Sequence, residues 1–204
     1  MKKFFPLVAV LLLGACAGGS SKGQEPLSPQ DCYVFNQQAG TMTSWPRPVA
    51  VVIDPSNNVG FSEDQFMATI VGGVMTWDAE VAESPIRALN EGTVVRDGRS
   101  HLGNGINEIL IGPLENPIWV AVTYLRWVRG DWLEADIVFN ERTLESTDLL
   151  STAIHELGHF YGLDHVDKNQ CPGHVMNPNI HLPDIGRVLK EGDVAGAQSL
   201  YGKP

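Results

Sequence analysis

Three of the six histidines in this 204-residue chain fall within one short string, His155-Glu156-Leu157-Gly158-His159-Phe160-Tyr161-Gly162-Leu163-Asp164-His165. Residues four apart lie one above the other on a helix, so His155 and His159 can present ring nitrogens to a single ion. Neutral imidazole at ~2.0–2.1 Å is an ordinary zinc ligand, but two of them leave the metal under-coordinated. Gly162 can end the helix and let the chain turn back, so that His165 supplies a third nitrogen. Three protein ligands leave one position for water, the arrangement of a catalytic zinc centre rather than a structural one. Glu156 need not ligate; it is expected as the base. Zinc lowers the pKa of its water from 15.7 to roughly 7. The carboxylate then takes that proton, hydroxide attacks a polarised carbonyl, and the proton passes to the leaving amine. His-Glu-x-x-His alone also describes a pair of surface histidines on an amphipathic helix. The glycine and third histidine in register set this string apart.

Elements must hold those residues in place. A helix over Thr147 to Tyr161, capped from Ser146 or Thr147 and stopped by Gly162, carries the first two histidines and the glutamate. An earlier helix from Ser62 to about Glu83 spaces Phe66, Ile70, Val74 and Trp77 three to four apart. A last helix, Glu191 to Tyr201, carries Val194, Ala197 and Leu200 on one side. Strands are expected at 48–55, 92–96, 107–111, 119–127 and 133–140, the last alternating around Ala135-Asp136-Ile137-Val138-Phe139. An irregular Gly/Pro/Asn-rich stretch runs from Leu163 to about Gly186. The chain reads as one mixed α and β domain over residues 46–204, without internal repeats.

Hydrophobic content of 43% with charged content of 19% is that of a folded domain. The net charge of −10, with no lysine or arginine run beyond the first residues, makes nucleic acid a poor partner. A monomer is expected. Lys2 and Lys3 precede an apolar run, Phe4 to Leu13, which is too short to span a bilayer and reads as a signal-peptide core. Leu13-Gly14-Ala15-Cys16 and the following Ala17-Gly18-Gly19-Ser20-Ser21 resemble a bacterial lipobox and its tether. The resemblance implies a signal peptide over residues 1–15, a lipid on Cys16, and a tether and arm over 16–45. It also implies export to the outer membrane or cell surface of a bacterium, since alanine rather than aspartate follows Cys16. With Cys16 so used, Cys32 and Cys171 form an even pair in an oxidising compartment, and a disulfide between them is expected. Asp31-Cys32-Tyr33-Val34 does not match a latency thiolate directed at the metal.

The zinc string, together with Val175-Met176-Asn177-Pro178 and Glu191-Gly192-Asp193-Val194-Ala195-Gly196-Ala197-Gln198-Ser199-Leu200-Tyr201-Gly202, resembles the metzincins and, among them, the matrixins. The likeness covers roughly residues 46 to 202 and is stronger in the second half. It implies an α+β fold: a twisted, mostly parallel five-stranded sheet with an antiparallel edge strand, two long helices, and a small C-terminal subdomain with one helix. It implies a zinc endopeptidase acting on protein or peptide substrates, with His155, His159 and His165 on the metal and Glu156 catalytic. Met176 would pack beneath the histidines without ligating. The strand around Trp119–Tyr124 would be the edge that pairs with extended substrate, a role open to any exposed strand edge. The stretch from Gly112 to Trp119 is short where mammalian relatives carry an extended loop with structural zinc and calcium ligands. A second zinc is therefore not expected, and calcium stays open. The segment from His165 to Met176 is long for the family, and His174 within it is expected to be exposed rather than to stand behind the ligands. A surface lipoprotein that binds through a zinc fold without turnover, and a zinc hydrolase of non-peptide amides, are the alternatives.

Overall fold

The structure is a computed structural model that describes residues 8–10, 27–38, 41–42, 44–93, 103–128, 131–178 and 186–204. Cys16 and its lipobox lie outside the described residues, as does most of the expected tether. Among the described residues no helix is long and apolar enough to cross a membrane. In chain order the elements are β1 (Val8–Val10), β2 (Val34–Phe35), β3 (Gln37–Gln38), β4 (Thr41–Met42), β5 (Val49–Asp54), α1 (Glu63–Asp78), β6 (Ile86–Glu91), β7 (Asn107–Gly112), β8 (Ala121–Val128), β9 (Asp131–Asn140), α2 (Leu149–Tyr161), β10 (Leu163–Asp164) and α3 (Glu191–Tyr201).

Five strands form the mixed sheet of the expected α+β fold, in the order β8-β9-β7-β5-β6. The last four run parallel, and β8 runs antiparallel to β9. The three-residue β1 adds antiparallel to the other side of β8, opposite Tyr124 to Arg126. Period-two alternation decides which face of the sheet is buried beneath the helices. Val51, Ile53, Ile109, Ile111, Ile137 and Phe139 are at most 1% exposed and pack with Phe66, Ile70 and Trp77 of α1 and Ile154 and Leu157 of α2. The alternate residues Leu110, Val122 and Val138 form a smaller apolar cluster with Leu114 on the far face.

Several boundaries differ from expectation, each for a local reason. Helix α1 starts as expected, with the Ser62 hydroxyl accepting from Gln65 N at 3.2 Å. It stops at Asp78, because the N–H groups of Ala82 and Glu83 bond to the carbonyls of Gly202 and Tyr201 instead. Helix α2 is capped by Asp148, not Ser146 or Thr147; its carboxylate accepts from Ser151 N at 3.1 Å. Leu144–Ser146 forms a separate 3-10 turn. The strand expected at 92–96 is instead β6, at 86–91; Gly92 and Thr93 lie beyond it, and 94–96 fall outside the described residues. Only Ile86 of β6 is fully buried, so the edge strand carries little apolar alternation to read. On α3 the inward face is Gly192, Asp193, Gly196, Ala197 and Tyr201, with Val194 and Leu200 half-buried.

The N-terminal arm packs rather than trailing away. β2 pairs antiparallel with β10, just beyond α2. The 3-10 turn Pro29–Asp31 lies on α3. A Cβ on Gly192 would stand 2.3 Å from the Cys32 carbonyl oxygen, so the arm and α3 meet at a distance only glycine permits. Cys32 is disulfide-bonded to Cys171, the expected pair.

Candidate active site

Helix α2 is buried on every side, from Ser151 through Tyr161. Such a helix must be held by its neighbours, and polar side chains of Trp77, Trp45, Asn36 and Thr123 reach its backbone. Trp77 Nε1 donates to the Ile154 carbonyl at 2.8 Å, and Trp45 Nε1 to the Phe160 carbonyl at 2.8 Å. Asn36 Nδ2 donates to the carbonyls of His159 and Leu163, at 3.2 and 3.0 Å. Gly162 then ends the helix with φ of 108°, where any side chain would be strained, and the chain doubles back toward His165.

That reversal brings the three imidazoles together. His165 Nε2 lies 3.1 Å from His155 Nε2 and 3.2 Å from His159 Nε2. A tetrahedral centre with zinc–nitrogen distances of ~2.0–2.1 Å sets its ligand nitrogens about 3.3 Å apart, so the spacing suits one ion. The back of each helical ring is held by a carbonyl. His155 Nδ1 meets Val175 O at 2.7 Å, and His159 Nδ1 meets Leu163 O at 2.8 Å. A carbonyl can only accept, so the proton of each neutral ring sits on Nδ1 and the Nε2 lone pair is left for a metal. Burial favours the neutral form: it pushes the His159 pKa well below the ordinary histidine value, and that of His165 down as well, against Asp164. These three form the group of side chains that could hold a metal ion among the described residues.

Glu156 is 3% exposed. Burial raises its carboxyl to about 7, against hydrogen bonds from Thr123 that lower it. The Thr123 hydroxyl stands 2.5 Å from Glu156 Oε2 and 3.1 Å from the Glu156 carbonyl oxygen. A carboxyl poised near neutrality can take a proton and return it, the property a general acid–base needs.

Beneath the site, Met176 is 1% exposed, and an added Cβ on Gly158 would stand 2.2 Å from its sulfur. Met176 thus packs against α2 between the two histidine turns. Its loop is hung from α3: Asp193 accepts from Val175 N at 2.9 Å and Met176 N at 3.2 Å, and also from Lys190 N at 2.9 Å. Burial pushes the Asp193 carboxyl up, partly countered by these bonds and by His174. His174 is not exposed as expected. It is 6% exposed, with Nε2 3.4 Å from Pro29 O, because the arm covers it.

Thr123, Asp193, Asn36 and Trp45 were not singled out by spacing. Asp193 lies within the Glu191–Gly202 string that carries the resemblance, and Thr123 leaves a trace as a hydroxyl on the strand face whose neighbours two residues away, Ala121 and Leu125, are apolar core residues.

A mixed sheet with a histidine triad below it, on a helix that ends at a glycine turn, defines a domain with a three-histidine candidate metal centre. A family model described as Matrixin matches residues 76–202, and the chain belongs to that family. It is 36% identical over 81 residues to macrophage metalloelastase of Oryctolagus cuniculus, covering 37% of this chain and 17% of that one. It is 37% identical over 67 residues to matrix metalloproteinase-15 of Homo sapiens, covering 32% and 10%. With metalloendoproteinase 5-MMP of Arabidopsis thaliana it shares 37% over 75 residues, covering 35% and 20%. The matches therefore span a fifth or less of these relatives' length.

Proposed function

We propose that the domain is a zinc-dependent endopeptidase in which His155, His159 and His165 hold the metal and Glu156 moves the proton. The observation that carries this is the convergence of three Nε2 atoms, two of them freed for a metal by carbonyls behind the rings, on a helix that also carries the buried Glu156. Three lone pairs facing one another at this distance repel unless a cation lies among them, and imidazole nitrogen suits zinc. Bound zinc polarises a carbonyl and makes water acidic enough to yield hydroxide near neutral pH. The chain supplies the rest. Glu156 accepts a proton and returns it to the leaving amine. The β8 edge supports the substrate reading: the extended β1 adds along Tyr124 to Arg126, the pairing an extended peptide would use. Among the described residues, Ala121–Thr123 carry no strand on that side.

For calcium, two buried carboxylates offer oxygens apart from the histidines, fewer than the roughly 6–8 such an ion takes. Glu108 and Asp136 lie side by side on β7 and β9, with Glu108 N donating to Asp136 Oδ1 at 3.1 Å. Glu108 Oε2 and Asp136 Oδ2 are buried without a hydrogen-bond partner, and hard oxygen donors match a hard cation. We also read the chain as an exported lipoprotein anchored through Cys16, its domain standing outside the membrane as a monomer.

Metal analysis and a quenched generic peptide test the enzyme reading. One zinc per chain, chelator-sensitive cleavage, and loss of cleavage in Glu156→Ala with zinc retained are expected. Stoichiometric zinc with no cleavage of a peptide library would overturn it in favour of a binding protein.

A further inference from the structure

One polar contact at the site lies outside the roles assigned so far. Thr123 is 1% exposed on the face of β8 that enters the core, between Ala121 and Leu125, each also 1% exposed. A valine would fill that space, and a buried hydroxyl is costly unless bonded. The hydroxyl has two acceptors in reach, both on Glu156: Oε2 at 2.5 Å and the backbone carbonyl at 3.1 Å. A threonine hydroxyl has one proton to donate, and the shorter, charge-assisted bond to a carboxylate is the stronger. The Thr123 backbone also acts on this carboxyl, but the hydroxyl bond falls on Oε2 alone. The two carboxylate oxygens are therefore inequivalent.

We propose that Thr123 is a positioning residue: its hydroxyl ties Glu156 Oε2 to strand β8 and so reserves Oε1 as the oxygen that accepts and returns the proton. The inference rests on the endopeptidase reading. The proton goes to Oε1 and leaves from it, while the Thr123 proton stays on its own oxygen. Without that bond the carboxylate loses its side-chain anchor on β8, and its terminal torsion, broad for glutamate, is less restricted. A fraction of molecules then present Glu156 in an unproductive geometry. Such a loss falls on turnover rather than on substrate binding.

The variants that separate this from mere packing are Thr123→Val, which keeps the shape and drops the hydroxyl, and Thr123→Ser, which keeps the hydroxyl. Losing the bond is expected to lower kcat about 30-fold, about 2 kcal/mol at 1.36 per decade, with KM within about twofold and one zinc per chain retained. Thr123→Ser is expected to recover most of that loss. Unchanged kcat in Thr123→Val, no recovery in Thr123→Ser, or a change confined to KM would each overturn the proposal. A readout free of turnover is the carboxyl carbon resonance of Glu156 in metal-free protein, assigned by its disappearance in Glu156→Gln. It should move in Thr123→Val and stay in place in Thr123→Ser; a resonance that ignores both variants refutes the contact. If wild type takes up zinc but cleaves nothing, the enzyme reading has failed, and the resonance alone decides whether Thr123 holds the carboxylate. If Thr123→Val unfolds, the same comparison is made between Thr123→Ala and Thr123→Ser; if Thr123→Ser unfolds, the wild type is set against Thr123→Val and Thr123→Ala.

Discussion

Adding one methyl group at Gly158 should damage both the fold and the metal centre. An ideal Cβ there would lie 2.2 Å from Met176 Sδ and 2.9 Å from Trp77 Cζ2, where unstrained carbon contacts need about 3.5–4.0 Å. Met176 and Trp77 are 1% and 0% exposed, so neither can swing into solvent. Overpacking of this kind costs typically about 1–3 kcal/mol. Alanine returns about 1 kcal/mol through its better helix propensity. The clash exceeds 1 Å in a rigid surround, so we expect a net loss of about 2 kcal/mol. At roughly 2–4 °C per kcal/mol for a domain of this size, the metal-free midpoint should fall by about 4–8 °C. The same displacement pushes on the Met176 loop, whose Val175 carbonyl fixes the His155 ring at 2.7 Å. Disturbing such a partner typically costs 10–100-fold in metal affinity, about what a chromophoric chelator should report for Gly158→Ala. Met176→Ala in the same chain should relieve part of both losses, since the two residues share one space. A metal-free Gly158→Ala protein at least as stable as wild type, holding zinc within twofold of it, would refute the reasoning.

Three further outcomes follow from other contacts. Removing the Cys32–Cys171 bridge by Cys32→Ser with Cys171→Ser opens a loop spanning 139 positions and should lower the urea-derived stability by about 4–5 kcal/mol on the chain-entropy account. A loss under about 1 kcal/mol would mean that packing on Gly192 alone seats the arm. Asp136 is pushed up to about 8, by burial first and then by Glu108 and Glu134. A carboxyl raised above its unfolded value lends stability that is full below about pH 4 and is lost as pH rises through about 8. Calcium-free wild type should therefore weaken from pH 5 to 9, Asp136→Asn should flatten that slope, and calcium should raise the wild-type midpoint most at the alkaline end; equal slopes in the two proteins would contradict the assignment. Asp193→Ala should strip three backbone donors of their acceptor and cost about 2–4 kcal/mol, with zinc affinity falling because the Met176 loop is released. A variant that unfolds at a lower urea midpoint but keeps wild-type zinc affinity would uncouple that loop from the metal centre.

What could be read from the chain depended on how local the physics was. His155, His159, Gly162 and His165 sit within one helix and its turn, so spacing alone brings their nitrogens together. Phe66, Ile70, Val74 and Trp77 announce their helix by period, and the Ser62 cap lies one residue from its start. Strand β6 was misplaced because its partner is β5, more than thirty positions away, and edge pairing through the backbone leaves no side-chain signature. The burial of His174 was equally hidden, since the arm that covers it comes from Pro29. Asp193 and Thr123 belong to the same category: each acts on a group 17 to 33 positions distant, which only the folded chain brings near.

The closure of the arm against the last helix also bears on how the chain matures. Asn36 and Trp45 find their acceptors on carbonyls that are synthesised more than a hundred positions later, and Cys32 rests against Gly192. A nascent polypeptide emerging from its N-terminus cannot assemble this seam until nearly all of it is available. Residues 27–38 therefore cannot take up these contacts before the last helix has been made. In the seated arrangement the Cys32–Cys171 bond fastens the arm to the loop beyond α2.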